Sequence, residues 1–345
     1  MSAAEFTVEL TPTGQTFKVG AEETILDAAL RQGVELQYGC RHGNCSTCKY
    51  LIEDGDVELG AASAYSLPDQ ARDEGWALLC CAKPRSDLLI RDNRRHDSRA
   101  LSQLRPIEQI ATIAAVVQLT PELWELRIAL PAPMVFYAGQ FVELGAGTGG
   151  TGGTVWRSYS MASPPAATQL RFVIKRIDGG LFSGRLDRIK PGDPLRVRGP
   201  FGASYLREGD RPVLLCAIGS GLAPVLSMLR DAAEKRDVRA FTLYYGARRP
   251  TDLPYLAELR DALGGRLCGG FRFIPTLDGL TPTDQWTGAV GTVTRAIQSD
   301  IDNAQALDAY LCGAPPMCDA VGRLLLAKGL PEHQLFFDRF FAASA

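Results

Sequence analysis

Three cysteines stand close together in Cys40-Arg41-His42-Gly43-Asn44-Cys45-Ser46-Thr47-Cys48, and a fourth, Cys80, follows after thirty-one intervening residues. This C-x4-C-x2-C spacing with a distant fourth cysteine is the plant-type pattern of a 2Fe–2S centre. A tight loop presents three thiolates, and a later segment supplies the last. Soft sulfur ligands suit iron through both redox states. Gly43, Ser46 and Thr47 are small, which lets backbone N–H groups turn towards the cluster sulfurs and tune the potential. Zinc is the competing thiolate chemistry, but structural zinc usually takes two similar Cys/His pairs, and only one C-x2-C is present. Cys81, beside Cys80, competes for the fourth position, with Cys80 preferred.

A second chemistry is marked by glycine. Gly219-Ser220-Gly221-Leu222-Ala223-Pro224 follows the apolar run Val213–Ile218 and precedes a helical pattern. Such a turn lets a pyrophosphate approach the backbone, and the helix N-terminus favours its charge. Pro224 suits a first helical turn. By contrast, Gly145-Ala146-Gly147-Thr148-Gly149-Gly150 fits G-x-G-x-x-G but leads into Thr154-Val155-Trp156, which reads as strand. The dinucleotide fingerprint needs a helix there, so this stretch is expected to be a flexible hairpin loop. Arg157-Ser158-Tyr159-Ser160 lies on a strand pattern, with Arg157 and Tyr159 on one face and Ser158 and Ser160 on the other. An arginine for phosphate and an aromatic ring to stack on a planar ring are what a flavin site needs. Gly179-Gly180-Leu181-Phe182-Ser183 is a further glycine turn expected to open a helix and bind phosphate.

The elements that must position these residues are legible in outline. Residues 5–19 alternate as a hairpin around Thr13-Gly14. Thr24 caps an amphipathic helix that stops at Gly33. With Tyr50-Leu51-Ile52 as a strand and Ala77-Leu78-Leu79 carrying Cys80 into a core, the first 95 residues form an α+β unit. Residues 96–106 lie in an arginine-rich stretch that reads as a solvated linker, with a docking patch for an acidic partner as the sharper alternative. From 107 to 208, strands at 110–118, 123–130, 140–145, 155–162, 169–176 and 194–198 predict an antiparallel barrel. From 209 to 345, strand and helix alternate, which predicts a parallel doubly wound sheet.

Composition excludes several classes. The 345 residues carry a formal net charge of -2, so the chain is no electrostatic nucleic-acid binder. No apolar run approaches about 18 residues, so no membrane span is expected. The N-terminus lacks the pattern of a secretory signal. Nine cysteines on such a chain point to a reducing, cytoplasmic setting. His42, His96 and His333 are too scattered for a metal site, and Cys216 reads as a buried hydrophobe.

Taken together, the motifs make the chain similar to the NADH-dependent reductase components of bacterial multicomponent oxygenases. These join a plant-type ferredoxin of β-grasp fold to a flavin barrel and a nicotinamide domain. The resemblance covers nearly the whole chain. The stretches GCRHGNCSTCKYLIEDGDVELG and YSLPDQARDEGWALLCCAKPRSDLLI look closest to reductases of soluble di-iron monooxygenases, which act on alkanes, alkenes, methane or phenol. Reductases of Rieske ring-hydroxylating dioxygenases share the layout and are the alternative.

The resemblance implies roles for the matching residues. Cys40, Cys45, Cys48 and Cys80 are the cluster ligands, Cys80 because proline follows four places on at Pro84. Arg157 meets the FAD phosphates, Tyr159 the isoalloxazine, and Ser160 lies near N5. Ile174 and Lys175 flank the FAD, and Gly180 and Ser183 hold its pyrophosphate. Gly219, Gly221 and Pro224 form the nicotinamide-cofactor loop. Leu311-Cys312-Gly313-Ala314-Pro315-Pro316-Met317 resembles a C-G-P-P-P-M segment, whose Cys312 sits near the nicotinamide. Asp338-Arg339-Phe340 stands where many members have Glu-x-Phe; the aspartate keeps the charge one methylene shorter.

The cofactor order implies a converter of electron pairs into single electrons, serving a separate oxygenase component and expected to be monomeric. Glu53-Asp54-Gly55-Asp56-Val57-Glu58 offers an acidic rim for a basic partner, or a solvated turn. A redox-sensing binding protein is the alternative of a different class, although flavin and nicotinamide sites would be superfluous in it. NADH is favoured by resemblance, while Arg248 and Arg249 follow a strand where a 2′-phosphate could bind.

Overall fold

The computed structural model describes residues 4–39, 41, 43, 47–64, 66–91, 104–147, 154–263 and 265–341. The chain divides into two compact units, Met1–Pro106 with Phe201–Ala203, and Ile107–Pro200 with Ser204–Ala345. The arginine-rich stretch expected to be a linker lies largely outside the described residues.

The first unit holds β1 (Glu5–Thr11), β2 (Gln15–Gly20), α1 (Ile25–Arg31), β3 (Lys49–Asp54), β4 (Val57–Glu58), α2 (Asp69–Asp73), β5 (Trp76–Leu78), β6 (Lys83–Pro84) and β7 (Leu88–Arg91). Alternation in β1 and β2 buries Val8, Leu10, Phe17 and Val19 on one face of an antiparallel hairpin. Thr24 caps α1 by accepting from the Asp27 amide at 3.2 Å, and Ile25, Leu26, Ala28 and Ala29 pack inward. The five-stranded sheet runs β2-β1-β7-β3-β5 and is mixed, with β1 and β7 parallel. Pairing of Lys49 with Leu78 in β3 and β5 brings the residues just outside both strands together.

The second unit contains two sheets. Strands β8 (Ile107–Gln118), β9 (Leu123–Ala129), β10 (Phe141–Gly147), β11 (Thr154–Ser160), β12 (Gln169–Lys175) and β13 (Pro194–Phe201) form a curled antiparallel sheet in the order β11-β10-β13-β8-β9-β12. A bridge between Met161 and Phe172 joins its two edges, and Leu126, Ile128, Val142, Leu144 and Phe172 fill its interior. β10 and β11 pair antiparallel on either side of the glycine-rich stretch, so no helix follows those glycines. The connecting residues 148–153, expected to be flexible, lie outside the described residues.

The remaining elements are β14 (Val213–Ile218), α3 (Leu222–Glu234), β15 (Phe241–Ala247), β16 (Phe271–Leu277), β17 (Ala289–Val290), α4 (Val293–Asp300), β18 (Asp308–Gly313), α5 (Pro315–Ala327) and β19 (Leu335–Arg339). All pairings in this sheet are parallel, in the order β17-β16-β15-β14-β18-β19. Burial on both faces explains the unbroken apolar runs of β14 and β18. Strand order reverses between β14 and β18, and the crevice outside their carboxyl ends is where doubly wound sheets bind nucleotides. No helix among the described residues is long and apolar enough to cross a membrane.

Candidate functional site

Cys48 and Cys80 flank the β3–β5 pairing, and the Leu79 amide donates to the Cys48 carbonyl at 3.0 Å. Both side chains are buried. The Cys80 thiol is pushed well up, first by its hydrogen bond with Cys48, while its hydrogen bond with Cys81 and, after it, the Gly43 amide pull it the other way. Two sulfurs within hydrogen-bonding reach, with a backbone N–H aimed at one, fit a shared metal centre. The Cys81 sulfur lies 3.8 Å from that of Cys80. Gly43 sits at φ 71°, where a Cβ would come within 2.7 Å of the Cys81 sulfur and 3.0 Å of the Ala61 carbonyl oxygen, so only glycine fits there. Cys40 and Cys45 lie outside the described residues. The acidic rim is partly spoken for: Glu53 accepts from Arg91 and Thr11, and Glu58 pairs with Arg85.

On β11, Tyr159 packs on Phe182 with ring centroids 5.3 Å apart and hydrogen-bonds to Ser183. The flavin-motif strand and the Gly179–Ser183 turn therefore meet, as a shared flavin site requires. Burial pushes the Tyr159 hydroxyl up, and the nearby Arg157 charge opposes this. A Cβ on Gly180 would lie 2.7 Å from the Ser183 hydroxyl and 2.9 Å from the Ile177 carbonyl oxygen, so this turn closes too tightly for a side chain. The helix expected after it is a six-residue 3-10 helix, Ser183–Arg188. A turn this short adds little dipole to the phosphate binding expected there. Ile174 is buried in the barrel, whereas Lys175 points outward to Glu122 at 2.8 Å.

Ser160 joins the two halves of the unit. The residue is 7% exposed, and its hydroxyl donates to Asp338 Oδ2 at 2.8 Å. Asp338 on β19 is in register with Cys312 on β18, so the three residues converge on the switch point of the nucleotide sheet. The shorter aspartate thus reaches the flavin strand. A hydrogen bond to a charged group contributes roughly 1.5–3 kcal/mol. The Cys312 thiol is fully buried, and burial first, then the Asp338 charge, push it far up, so it stays neutral. The Phe340 amide donates to the Gly313 carbonyl at 2.8 Å, which extends the β18–β19 pairing by one residue.

The glycine turn is shaped by contact with β18. Gly219 sits at φ 53° and Gly313 at φ 136°. A Cβ on Gly221 would meet the Cys312 carbonyl oxygen at 2.2 Å. Both atoms belong to backbone, so neither can swing away. Gly221→Ala is expected to cost roughly 1–3 kcal/mol through overpacking and to weaken nucleotide binding at least about tenfold. Thermal unfolding and NADH titration of the variant check both.

Two arrangements were not foreseen from the sequence. Arg249 is held by Asp284, Nη2 to Oδ1 at 2.9 Å, and Asp284 also accepts from the Thr281 amide at 2.8 Å. The Arg249 contact, and then Thr281, pull the Asp284 carboxyl down to about 2. Ser227 and Arg230 of α3 reach the backbone beyond Ser160. They are polar residues three apart inside an apolar helix, a signal that was there to be read.

A flavin-motif strand hydrogen-bonded into a nucleotide crevice, in a chain that also carries a paired-thiol domain, defines a nicotinamide-dependent flavin and iron–sulfur reductase. Family models agree: a 2Fe-2S iron-sulfur cluster binding domain matches residues 8–85, an oxidoreductase FAD-binding domain 111–205, and an oxidoreductase NAD-binding domain 214–323. The chain is 37% identical to the phenol 2-monooxygenase reductase component of a Pseudomonas strain, with 98% of this chain and 95% of that one covered. It is 36% identical to the propane 2-monooxygenase reductase component of Rhodococcus jostii, covering 96% and 90% respectively. A crystal structure of an Amycolatopsis cytochrome P450 reductase superposes with a TM-score of 0.84 at 28% identity, covering 98% of this chain and 100% of that one. The chain belongs to the family of reductase components of multicomponent oxygenases and is an oxidoreductase with 2Fe–2S, FAD and NAD domains.

Proposed function

We propose that this chain takes electrons from NADH and hands them singly to the hydroxylase of a soluble di-iron monooxygenase acting on phenol, alkanes or alkenes. The observation that carries the redox reading is the Ser160–Asp338 hydrogen bond, which brings the flavin strand to the nucleotide switch point. When bound, the flavin accepts a hydride as a pair and releases electrons one at a time, which suits a one-electron iron–sulfur acceptor. Gly219, Gly221 and Pro224 seat the nucleotide pyrophosphate at the start of α3, with Cys312, Gly313 and Phe340 lining the nicotinamide side. Arg157 meets the flavin phosphates, and Gly180 and Ser183 hold their turn. Tyr159 stacks, Ile174 and Lys175 lie on the strand that flanks the flavin, and Ser160, held by Asp338, stands at the reacting edge. Cys40, Cys45, Cys48 and Cys80 hold the cluster.

Partner class is supported by the phenol and propane monooxygenase relatives. A Rieske oxygenase is the second reading, favoured by 33% identity to the toluate 1,2-dioxygenase electron transfer component of Pseudomonas putida. Reconstitution decides: NADH-dependent product should form with a di-iron hydroxylase and not with a Rieske oxygenase. Product only with the latter overturns the partner assignment.

NADH rather than NADPH is the proposed donor. Arg249 follows β15, where doubly wound sheets read the adenosine 2′ position, and Asp284 neutralises it. Asp284→Asn is expected to raise kcat/KM for NADPH about tenfold, or about 1.4 kcal/mol, and to leave NADH turnover unchanged. Steady-state rates with both coenzymes measure this; an unchanged ratio contradicts it.

A further inference from the structure

The helix that opens at the glycine turn also grips the flavin strand farther along. Residues Leu222 to Ala233 of α3 are all buried. From within that stretch, Ser227 Oγ donates to the Ser163 carbonyl at 2.7 Å, and Arg230 Nη1 donates to the Ala162 carbonyl at 2.5 Å. Glu258 fixes the other edge of the guanidinium, Nε–Oε1 at 2.7 Å and Nη2–Oε2 at 2.8 Å. Ala162 and Ser163 directly continue the strand that carries Ser160, and Ser160 itself donates to Asp338. Three of the four residues from 160 to 163 are therefore bonded to side chains of the nucleotide-sheet half.

A second tie runs beside the first. Tyr255 sits at φ 54°, a region that a bulky residue occupies only where its surroundings dictate it. Its hydroxyl donates to Glu125 of the barrel, a carboxylate 1% exposed that also accepts from Arg171 at 3.0 Å and from Arg127. The Arg171 and Arg230 guanidinium carbons lie 5.7 and 5.4 Å from the centroid of the Tyr255 ring. Arg230 thus belongs to both ties.

We propose that Ser227 and Arg230 are positioning residues for hydride transfer. They lock the offset between the Ser160 hydroxyl and the Gly219–Gly221 turn, because one rigid helix carries the turn at its start and the grip on 162–163 in its middle. A single hydrogen bond would leave the strand free to pivot. Two, three residues apart on one helix face, fix both sliding and rotation. Hydride transfer is steep in distance, and a misplacement of about 1 Å can cost about a hundredfold. The inference rests on the reading of Ser160 as the flavin-edge residue and of the glycine turn as the nucleotide site.

The test is anaerobic rapid mixing of the holoenzyme with NADH, following flavin absorbance, in Arg230→Gln and Ser227→Ala. The limiting bleaching rate per bound flavin should fall about a hundredfold and about tenfold respectively, with the dissociation constant for NADH and dithionite reduction unchanged. Amide exchange in the flavin-free chain should quicken across residues 161–163 and not along α3. Ser227→Ala loses one bond, so it reports even if Arg230→Gln folds poorly. Parent-like rates per flavin in Ser227→Ala overturn the proposal. So does a loss of flavin content or thermal stability with the per-flavin rate intact, which marks a purely structural role. If the parent enzyme itself does not bleach with NADH, it is the functional reading that fails.

Discussion

Cys80→Ser will give a protein that still oxidises NADH with ferricyanide but has lost cytochrome c reduction by at least about a hundredfold. The two dyes separate the routes because ferricyanide can draw on the flavin, whereas cytochrome c is expected to draw on the cluster. Even partners one shell out from a metal commonly contribute about 10–100-fold in affinity, and a direct ligand should matter no less. Cys80 faces Cys48 and receives the Gly43 amide. With Cys80 as the ligand that the resemblance implies, Cys81→Ser should keep its iron and its cytochrome c activity, although the Cys81 sulfur is only 3.8 Å from that of Cys80. Iron and sulfide analysis with both dye assays measures the contrast. If Cys81→Ser loses the cluster and Cys80→Ser keeps it, the ligand assignment is reversed.

Ser160→Ala will slow NADH-driven bleaching of the flavin by about a hundredfold, the loss that a misplacement of about 1 Å between reacting groups can cause. Flavin content should change little, since Arg157, Tyr159 and the Gly179–Ser183 turn are untouched. Asp338→Ala should lower the rate through the same contact, because Ser160 donates to that carboxylate at 2.8 Å. Asp338→Glu, which installs the residue common in the family, should retain most of the rate. Stopped-flow traces at saturating NADH distinguish these outcomes. Equal losses in Asp338→Glu and Asp338→Ala would mean that the Ser160–Asp338 bond does not set the geometry.

Much of the architecture was legible because local pattern and tertiary burial agree here. Each of the six barrel strands was anticipated to within a few residues; the one foreseen at 123–130 is Leu123–Ala129. The G-x-G-x-x-G at Gly145 was set aside on context, and the strand Thr154–Ser160 follows it as expected. What escaped was short or depended on distant partners. β19 is five residues at a sheet edge and ends in Asp338 and Arg339, so its alternation is too brief to read. α4 has eight residues and buries only Val293 and Ile297. The helix expected after Gly180 is a 3-10 turn, its three-residue spacing shown by the Arg185 amide donating to the Phe182 carbonyl at 3.0 Å. Arg249 was open between a 2′-phosphate, the pyrophosphate and solvent, and only folding brings Asp284, thirty-five residues on, against it.

Anaerobic titration of the purified protein with NADH, followed by low-temperature electron paramagnetic resonance, asks most directly whether electrons cross from nucleotide to thiolate-held iron. The expected result is flavin bleaching accompanied by the rhombic signal of a reduced 2Fe–2S pair, present in the parent and absent in Cys80→Ser. Flavin bleaching with no iron signal in the parent, or zinc in place of iron, would contradict the account.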